Sequence, residues 1–213
     1  MRATRTIERW GFALGLMLLL VPLAAGAQQG PMVGVVAGYS GSEPRWSPVE
    51  TVDRVGGLVL GFFVDASTTR GWLSVQAEGT YTQRGGDVIG DGGSGAVEGA
   101  VRSDYLSLSV RPTLRAGAGR VNGFVASGPA VDLLVRSRLD AGLATVLRQE
   151  GASVFGVVAG AGLDIALGGE RTFGVEARVF EGLMNAYSGD FVSMRYRSWQ
   201  LTGHVAVLLS RFR

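Results

Sequence analysis

The chain has 213 residues, of which 46% are hydrophobic and 18% are charged, whereas soluble domains of ordinary composition carry about 25% charged residues. All 20 basic residues are arginine and no cysteine is present, which excludes disulfides, thiolate metal ligands and thiol nucleophiles. The net charge of +2 is too small to suggest the clustered basic face of a nucleic-acid-binding protein. The 34 glycines argue against a helical fold, because glycine weakens helix interiors.

The N-terminus has the features of a secretory signal peptide. Three arginines precede the apolar run GFALGLMLLLVPLA (11–24), and a small-x-small cleavage site, Ala25 to Ala27, follows it. A membrane-spanning helix needs about 20 apolar residues, so this run is too short to serve as an anchor. We predict a signal peptide over 1–27, cleaved after its last residue, and an exported domain over 28–213.

The exported domain contains stretches in which apolar and polar residues alternate. WLSVQAEGTYTQ (72–83) is the clearest of them, because Leu, Val, Ala, Gly and Tyr alternate with Ser, Gln, Glu and Thr. Such alternation predicts a strand with one apolar and one polar face. Eight strands are predicted in this way, over 32–40, 54–66, 72–83, 104–117, 121–135, 154–167, 172–182 and 198–210.

The connections between these strands alternate between long and short. They cover 41–53, 67–71, 85–103, 118–120, 136–153, 168–171 and 183–197. In an up-and-down sheet, successive connections lie at opposite ends, so one end carries long loops and the other carries tight turns. Bacterial outer-membrane barrels have this asymmetry, with the apolar strand faces toward lipid. The sequence therefore predicts an all-β fold, an eight-stranded antiparallel up-and-down transmembrane barrel.

The polar faces of the strands would then line the lumen. Eight strands enclose a lumen just wide enough for side chains to fill, and buried charges need partners. We therefore predict a network of polar side chains inside the barrel: Gln76, Glu78, Arg111, Arg115, Asp164, Glu176, Arg178, Gln200 and His204. Four aromatic residues near predicted strand ends are expected to form girdles at the membrane interfaces: Trp72, Phe155, Phe173 and Trp199.

The charged residues do not form a recognisable catalytic pattern. His204 is the only histidine, and no serine follows it two residues on, unlike the His-x-Ser of the outer-membrane lipid A deacylases. Glu78 and Glu176 would suit a pair of glycosidase carboxylates, but Arg111 and Arg178 share their face, so ion pairing is the simpler interpretation. The sequence predicts a protein that is not an enzyme and has no cofactor.

One glycine-rich segment, GGDVIGDGGSGAVEGA (85–100), suggests a phosphate-binding loop at first sight. It lacks the Gly-Lys-Ser/Thr ending that a P-loop requires. Asp87 and Asp91 among the glycines suit at most a weak calcium site. We predict a flexible external loop here and no metal site.

Three groups of motifs resemble the family of eight-stranded outer-membrane β-barrels known as porin-like or PorT-like. VQAEGTYTQRGGD (75–87) is similar to the family's strand ending in Glu-x-x-Tyr-x-x-x-Gly. DYLSLSV (104–110) and FVASGPAVDLLV (124–135) resemble its Tyr-Leu strand and the Gly-Pro strand after it. VVAGAGLDIALGGERTFGVEARVFEGLMN (157–185) resembles its glycine-rich hairpin ending in Gly-Leu-x-Asn.

The resemblance covers 31–213 and has two departures. Ser109 stands where the family usually has proline, and the chain ends in Arg213 after a phenylalanine, where many such barrels end on an aromatic residue. The resemblance implies a barrel in the outer membrane of a Gram-negative bacterium, and it implies little about activity.

We therefore expect a non-enzymatic, monomeric outer-membrane protein with a structural or surface-interaction role through long external loops. Its expected partners are outer-membrane lipid and the barrel-assembly machinery; nucleic acid is not expected, and no external ligand can be named. Two alternatives remain open from the sequence. One is a small-solute pore, and the other is a soluble periplasmic lipocalin-like carrier with its apolar faces inside.

Overall fold

The structure is a computed structural model that describes residues 30–47, 52–67, 71–91, 96–139, 148–149, 153–185, 187–188 and 193–209. Ten strands occur in these ranges: β1 (Met32–Ser47), β2 (Val52–Ser67), β3 (Leu73–Asp91), β4 (Ala96–Ala118), β5 (Val121–Leu139), β6 (Arg148–Gln149), β7 (Ser153–Gly168), β8 (Arg171–Gly182), β9 (Tyr187–Ser188) and β10 (Ser193–Leu208). The predicted signal peptide and the C-terminal Arg213 lie outside the described residues. No helix in the described ranges is long and apolar enough to cross a membrane.

The eight long strands form a closed antiparallel barrel, as the sequence predicts. Their order around the barrel is β1-β2-β3-β4-β5-β7-β8-β10, and β10 pairs with β1 to complete the circle. The two short strands β6 and β9 pair with each other, and β9 also pairs with β10. Within the barrel wall every long strand is therefore hydrogen-bonded on both sides, which leaves no open edge there for another chain to pair with.

The barrel has a turn end and a loop end. Tight turns join β4 to β5 and β7 to β8, where the predicted turns at 118–120 and 168–171 lie. Gly169 and Glu170 form the second of these turns with φ values of 58° and 64°. A two-residue hairpin of type I′ needs positive φ at both central residues. The connection between β2 and β3, predicted as the turn 67–71, belongs to the same end but lies partly outside the described residues. The connections at the loop end also lie wholly or partly outside the described residues.

Strands extend into each of the predicted long loops, which corrects the sequence interpretation. The segment 85–103 was expected to be a flexible connection, but β3 continues to Asp91 and β4 begins at Ala96. The pairing runs without a break from Gly85↔Arg102 to Asp91↔Ala96. A ladder needs only the backbone N–H and C=O groups, which glycine also supplies. Beyond the apolar band neither face needs apolar residues, so the alternation that predicts a strand disappears there.

The outer face of the barrel is apolar and the inner face is polar. On β2, three successive outward positions, Leu58, Leu60 and Phe62, are exposed by 51%, 54% and 67%. The inward residues Val59 and Phe63 alternate with these and are buried. The apolar cores inside are small, and one consists of Val36, Phe63 and Ala206. The barrel therefore has apolar side chains on the outside and polar side chains on the inside, which is the reverse of a soluble protein.

Candidate functional site

Two arginines and two glutamates form an ion-pair network at the centre of the lumen. Arg111 on β4 donates to Glu78 Oε2 at 3.1 Å and to Glu176 Oε1 at 2.5 Å. Arg178 on β8 donates to Glu78 Oε1 at 2.6 Å, and its Nη1 lies 3.8 Å from Glu176 Oε2. All four side chains are buried, and Arg111 is 0% exposed. The two positive and two negative charges cancel, as burial in a low-dielectric interior demands.

Two amides complete this central layer. Gln76 Oε1 accepts from Arg111 Nη2 at 2.6 Å, and Gln200 Oε1 accepts from Arg178 Nε at 2.6 Å. The six side chains come from β3 and β4 on one side of the barrel and from β8 and β10 on the other. The network therefore crosses the lumen and holds opposite walls together.

A second polar cluster fills the turn end of the lumen. Arg115 Nη2 lies 2.9 Å from Asp65 Oδ2, and Arg115 Nε lies 3.4 Å from Asp164 Oδ2. The hydroxyl of Ser74 donates to Asp65 Oδ2 at 3.2 Å and accepts from Arg115. His204 Nε2 lies 2.9 Å from Asp164 Oδ1. One arginine thus bridges two carboxylates, and one of these also holds the histidine.

Two aromatic rings enclose the histidine at this end. The rings of Phe63 and Phe124 lie 5.5 and 6.1 Å from the imidazole of His204, measured between centroids. Each phenylalanine faces a glycine on a neighbouring strand, Gly34 and Gly162 respectively. A Cβ at either glycine would lie 2.5 Å from the Cζ atom of the ring. The glycines therefore leave the room that the rings occupy.

A third layer lies toward the loop end of the lumen. Arg84 and Asp132 form an ion pair there, and both side chains are almost completely buried. The guanidinium carbon of Arg84 lies 4.0 Å from the centroid of Phe180, within the range of a cation–π contact. The rings of Tyr105 and Tyr196 pack edge to face at 5.7 Å beside it. Ionic and aromatic groups thus occupy the lumen at this level too.

All nine polar residues singled out in the sequence lie in the lumen. Six of them form the central layer, and Arg115, Asp164 and His204 belong to the turn-end cluster. Sequence reasoning missed Asp65, Arg84 and Asp132. Arg84 lies two residues beyond Thr82 on the polar face of 72–83, so the same alternation continued to the next position would have predicted it. The two aspartates also point inward, but the inward positions before them on their strands include phenylalanine and alanine, so the sequence shows no continuous polar face there.

Little space remains between these side chains at the turn end. A cavity of about 10 Å³ lies among the side chains of Phe63, Arg115, Phe124 and His204. That volume is about what one water molecule requires. Among the described residues, no three acidic or histidine side chains are grouped so as to hold a metal ion.

The four predicted girdle residues all point outward from the barrel. Trp72 and Phe173 lie near the turn end, Phe155 and Trp199 lie nearer the loop end, and each is exposed. The ring of Trp199 packs against Tyr39 with centroids 5.6 Å apart. These aromatic side chains thus lie toward both ends of the apolar outer face.

Comparison with solved structures finds bacterial surface and outer-membrane proteins. The chain is similar to Ail, the attachment invasion locus protein of Yersinia pestis, in complex with the heparin analogue sucrose octasulfate, at 17% identity over 82% of this chain and 98% of that chain, with a TM-score of 0.45. For Neisserial surface protein A, the values are 11% identity, 83% and 97% coverage, and a TM-score of 0.48. For the Escherichia coli outer membrane protein W, they are 14% identity, 85% and 100% coverage, and a TM-score of 0.47.

These likenesses are distant, and the assignment of the fold depends on the strand pairing described above. Neither a protein-family model nor a curated protein sequence matches the chain.

Proposed function

We propose that this chain is a non-enzymatic, non-conducting barrel of the outer membrane of a Gram-negative bacterium. Its filled lumen makes it a rigid support that holds the loop-end strands above the membrane surface, where they interact with external molecules. The observation that carries this proposal is the buried, charge-balanced network of Arg111, Arg178, Glu78 and Glu176, which crosses the lumen inside an apolar outer face.

The apolar outer face supports a location in lipid. Contiguous apolar surface of this extent is rare on soluble monomers, whereas membrane barrels place such a face against acyl chains. A lipocalin-like carrier would need an apolar interior to hold its ligand. The lumen here holds Arg84, Arg111, Arg115 and Arg178 with their carboxylate partners instead, which disfavours that alternative.

The packing of the lumen supports a barrel that does not conduct. The three layers lie in succession along its axis, and the space at the turn end suffices for about one water. A small-solute pore needs a continuous water path instead. The proposal also includes membership in the porin-like or PorT-like family, which the motif from Glu78 to Tyr81 supports. It further includes assembly by the barrel-assembly machinery and a monomeric state.

Two measurements test the proposal. A protease site inserted between Asp91 and Ala96 should be cut on whole cells, whereas the same site in the turn at Gly119 should be cut only after lysis. Purified protein in planar bilayers should show no steady openings. The matched control is the balanced double variant Arg111→Ala with Glu176→Ala, which should raise the conductance because it removes side chains from the central layer without leaving net charge.

Each alternative predicts a different result. Equal protection of both sites in cells, with release of the protein by osmotic shock, would identify a soluble periplasmic carrier. Steady, large openings of the unmodified protein would identify a pore.

A further inference from the structure

A solvent-open cavity of about 460 Å³ lies at the loop end, between β2 and β5. We call it the rim cavity. Most of the side chains that line it occupy outward-facing positions, so the cavity lies on the outer face of the barrel. The outward-facing lining residues are Tyr81, Gln83, Arg102, Asp104, Arg136 and Arg138.

Arginines dominate the outward lining of the rim cavity. Arg102 lies directly opposite Arg138 in the ladder between β4 and β5, and Asp104 lies directly opposite Arg136. Arg102 already has a partner within the chain, since its Nη1 donates to the carbonyl oxygen of Val101 at 3.2 Å. Arg136 and Arg138 are both exposed and line the cavity with one described carboxylate, that of Asp104. Two guanidinium groups beside one carboxylate give an excess of positive charge, which favours a bound anion.

Arg84 also lines the rim cavity but does not add to this excess. Its guanidinium pairs with Asp132 inside the barrel. The Nε atom of Arg84 is buried and has no hydrogen-bond partner among the described residues. The arginines of the cavity that remain to bind an anion are thus Arg136 and Arg138.

The rim cavity lies directly beyond the apolar outer face. Leu106 on β4 and Val135 on β5 are exposed by 40% and 64%. On β4 the next outward position is Asp104, which lines the cavity. The register between β4 and β5 shifts between Asp104 and Tyr105, so that Val135 and Arg136 are both exposed, and Arg136 lies opposite Asp104. In a membrane barrel this level is the interface, where lipid headgroups meet the protein.

We propose that the rim cavity binds the phosphate group of an outer-leaflet lipid. Guanidinium groups bind phosphate through paired hydrogen bonds, and Arg136 and Arg138 are neighbours on one face of β5, because every second residue of a strand points to the same side. The acyl chains of the same lipid would lie along Leu106 and Val135. This inference rests on the proposed membrane location, which supplies the ligand.

A second group of outward arginines provides a matched control. Arg195 and Arg197 lie on β10 near the loop end and are exposed. Arg195 Nε donates to Asn185 Oδ1 at 3.0 Å, and Arg197 Nε lies 3.4 Å from Glu181 Oε2. These arginines have partners in the chain itself, so replacing them should not affect lipid binding.

The test uses the full exported chain folded in detergent micelles, with lipid counted by native mass spectrometry. The probes are lipid A, which carries two phosphates on a disaccharide, and the same lipid with both phosphates removed. Arg136→Gln with Arg138→Gln should weaken binding of the phosphorylated lipid about ten-fold or more, because each lost charge-assisted hydrogen bond costs about that factor. Arg195→Gln with Arg197→Gln should change it by less than about two-fold.

Two results would overturn the inference. In the first, both double variants lose binding equally, or the lipid binds equally well without its phosphates. In the second, inorganic phosphate or a sulfated polysaccharide displaces the lipid at equal phosphate or sulfate concentration, which would make the rim cavity a site for soluble anions. Both readouts use purified protein, so they can fail while the cell-surface and conductance tests of the proposed function succeed.

Discussion

Arginines lie both in the lumen and at the rim cavity, but their charges are neutralised by different groups. Each arginine described in the lumen lies within 3.4 Å of a carboxylate of the same chain, as Arg115 does with Asp65 and Asp164. At the rim cavity, Arg136 and Arg138 accompany a single described carboxylate. Counterions cannot enter a filled lumen, so its charges must balance within the chain, whereas groups from outside can neutralise the rim.

The largest effect is expected from removing one charge from the lumen. Arg111→Met keeps most of the volume but leaves the central layer with one positive and two negative charges. Removing one partner of a buried ion pair costs about 3–5 kcal/mol, and we expect a loss of that size in the free energy of unfolding. A urea titration of the protein folded in lipid vesicles measures it.

The control for this variant restores the balance of charge. Adding Glu176→Gln to Arg111→Met leaves one arginine and one glutamate in the central layer, and should recover part of the lost stability. A single variant as stable as the unmodified protein would show that the network is not buried as described.

A smaller effect is expected from placing a charge on the outer face. Leu60→Arg lies in the middle of the apolar run of β2, where an arginine facing lipid costs about 2–4 kcal/mol. Val64→Arg, nearer the turn end of the same strand, should cost at most about 1 kcal/mol because the cost falls toward the interface. The ratio of folded to unfolded protein in vesicles gives both values. Equal, small losses in the two variants would indicate that water covers the outer face.

The smallest effect is expected where a charged pair lies outside the lumen. Arg197 and Glu181 are exposed by 45% and 40% in their side chains, and exposed ion pairs contribute about 0–1 kcal/mol. We therefore expect Arg197→Ala to change the unfolding free energy by less than about 1 kcal/mol, and added salt to reduce the difference further. If Arg197→Ala lowered the unfolding free energy as much as Arg111→Met, burial would not be what decides how much an ion pair contributes to stability.

The sequence predicts the eight strands and which residues of each strand face outward. Apolar and polar residues alternate in 72–83 and in the other predicted strands, throughout the part of the barrel that has the apolar outer face. The loop-end extensions could not be predicted in this way. The sequence of Gly85 to Asp91 and of Ala96 to Ala100 shows no apolar–polar alternation, and the pairing of these segments depends on the backbone of the neighbouring strand.

The sequence also predicts which polar residues share the lumen, but not which of them touch. Arg111 meets Glu176, 65 residues further along the chain, and that contact depends on the register and closure of the barrel. The rim cavity was missed for a related reason. Arg102, Arg136 and Arg138 lie in segments predicted as loops, and only the continued pairing of β4 and β5 brings them to one face.

The glycines that face the inner rings restrict how this sequence can diverge. At Gly34 a Cβ would lie 2.5 Å from the ring of Phe63 and 2.6 Å from the carbonyl oxygen of Val205, so a smaller side chain in place of Phe63 would not by itself make room for alanine. At Gly162 the carbonyl oxygen of Val175 would lie even closer than the ring of Phe124, at 2.3 Å. Related sequences should therefore keep both glycines even where the facing ring is replaced, because the backbone of the neighbouring strand leaves no room for a side chain.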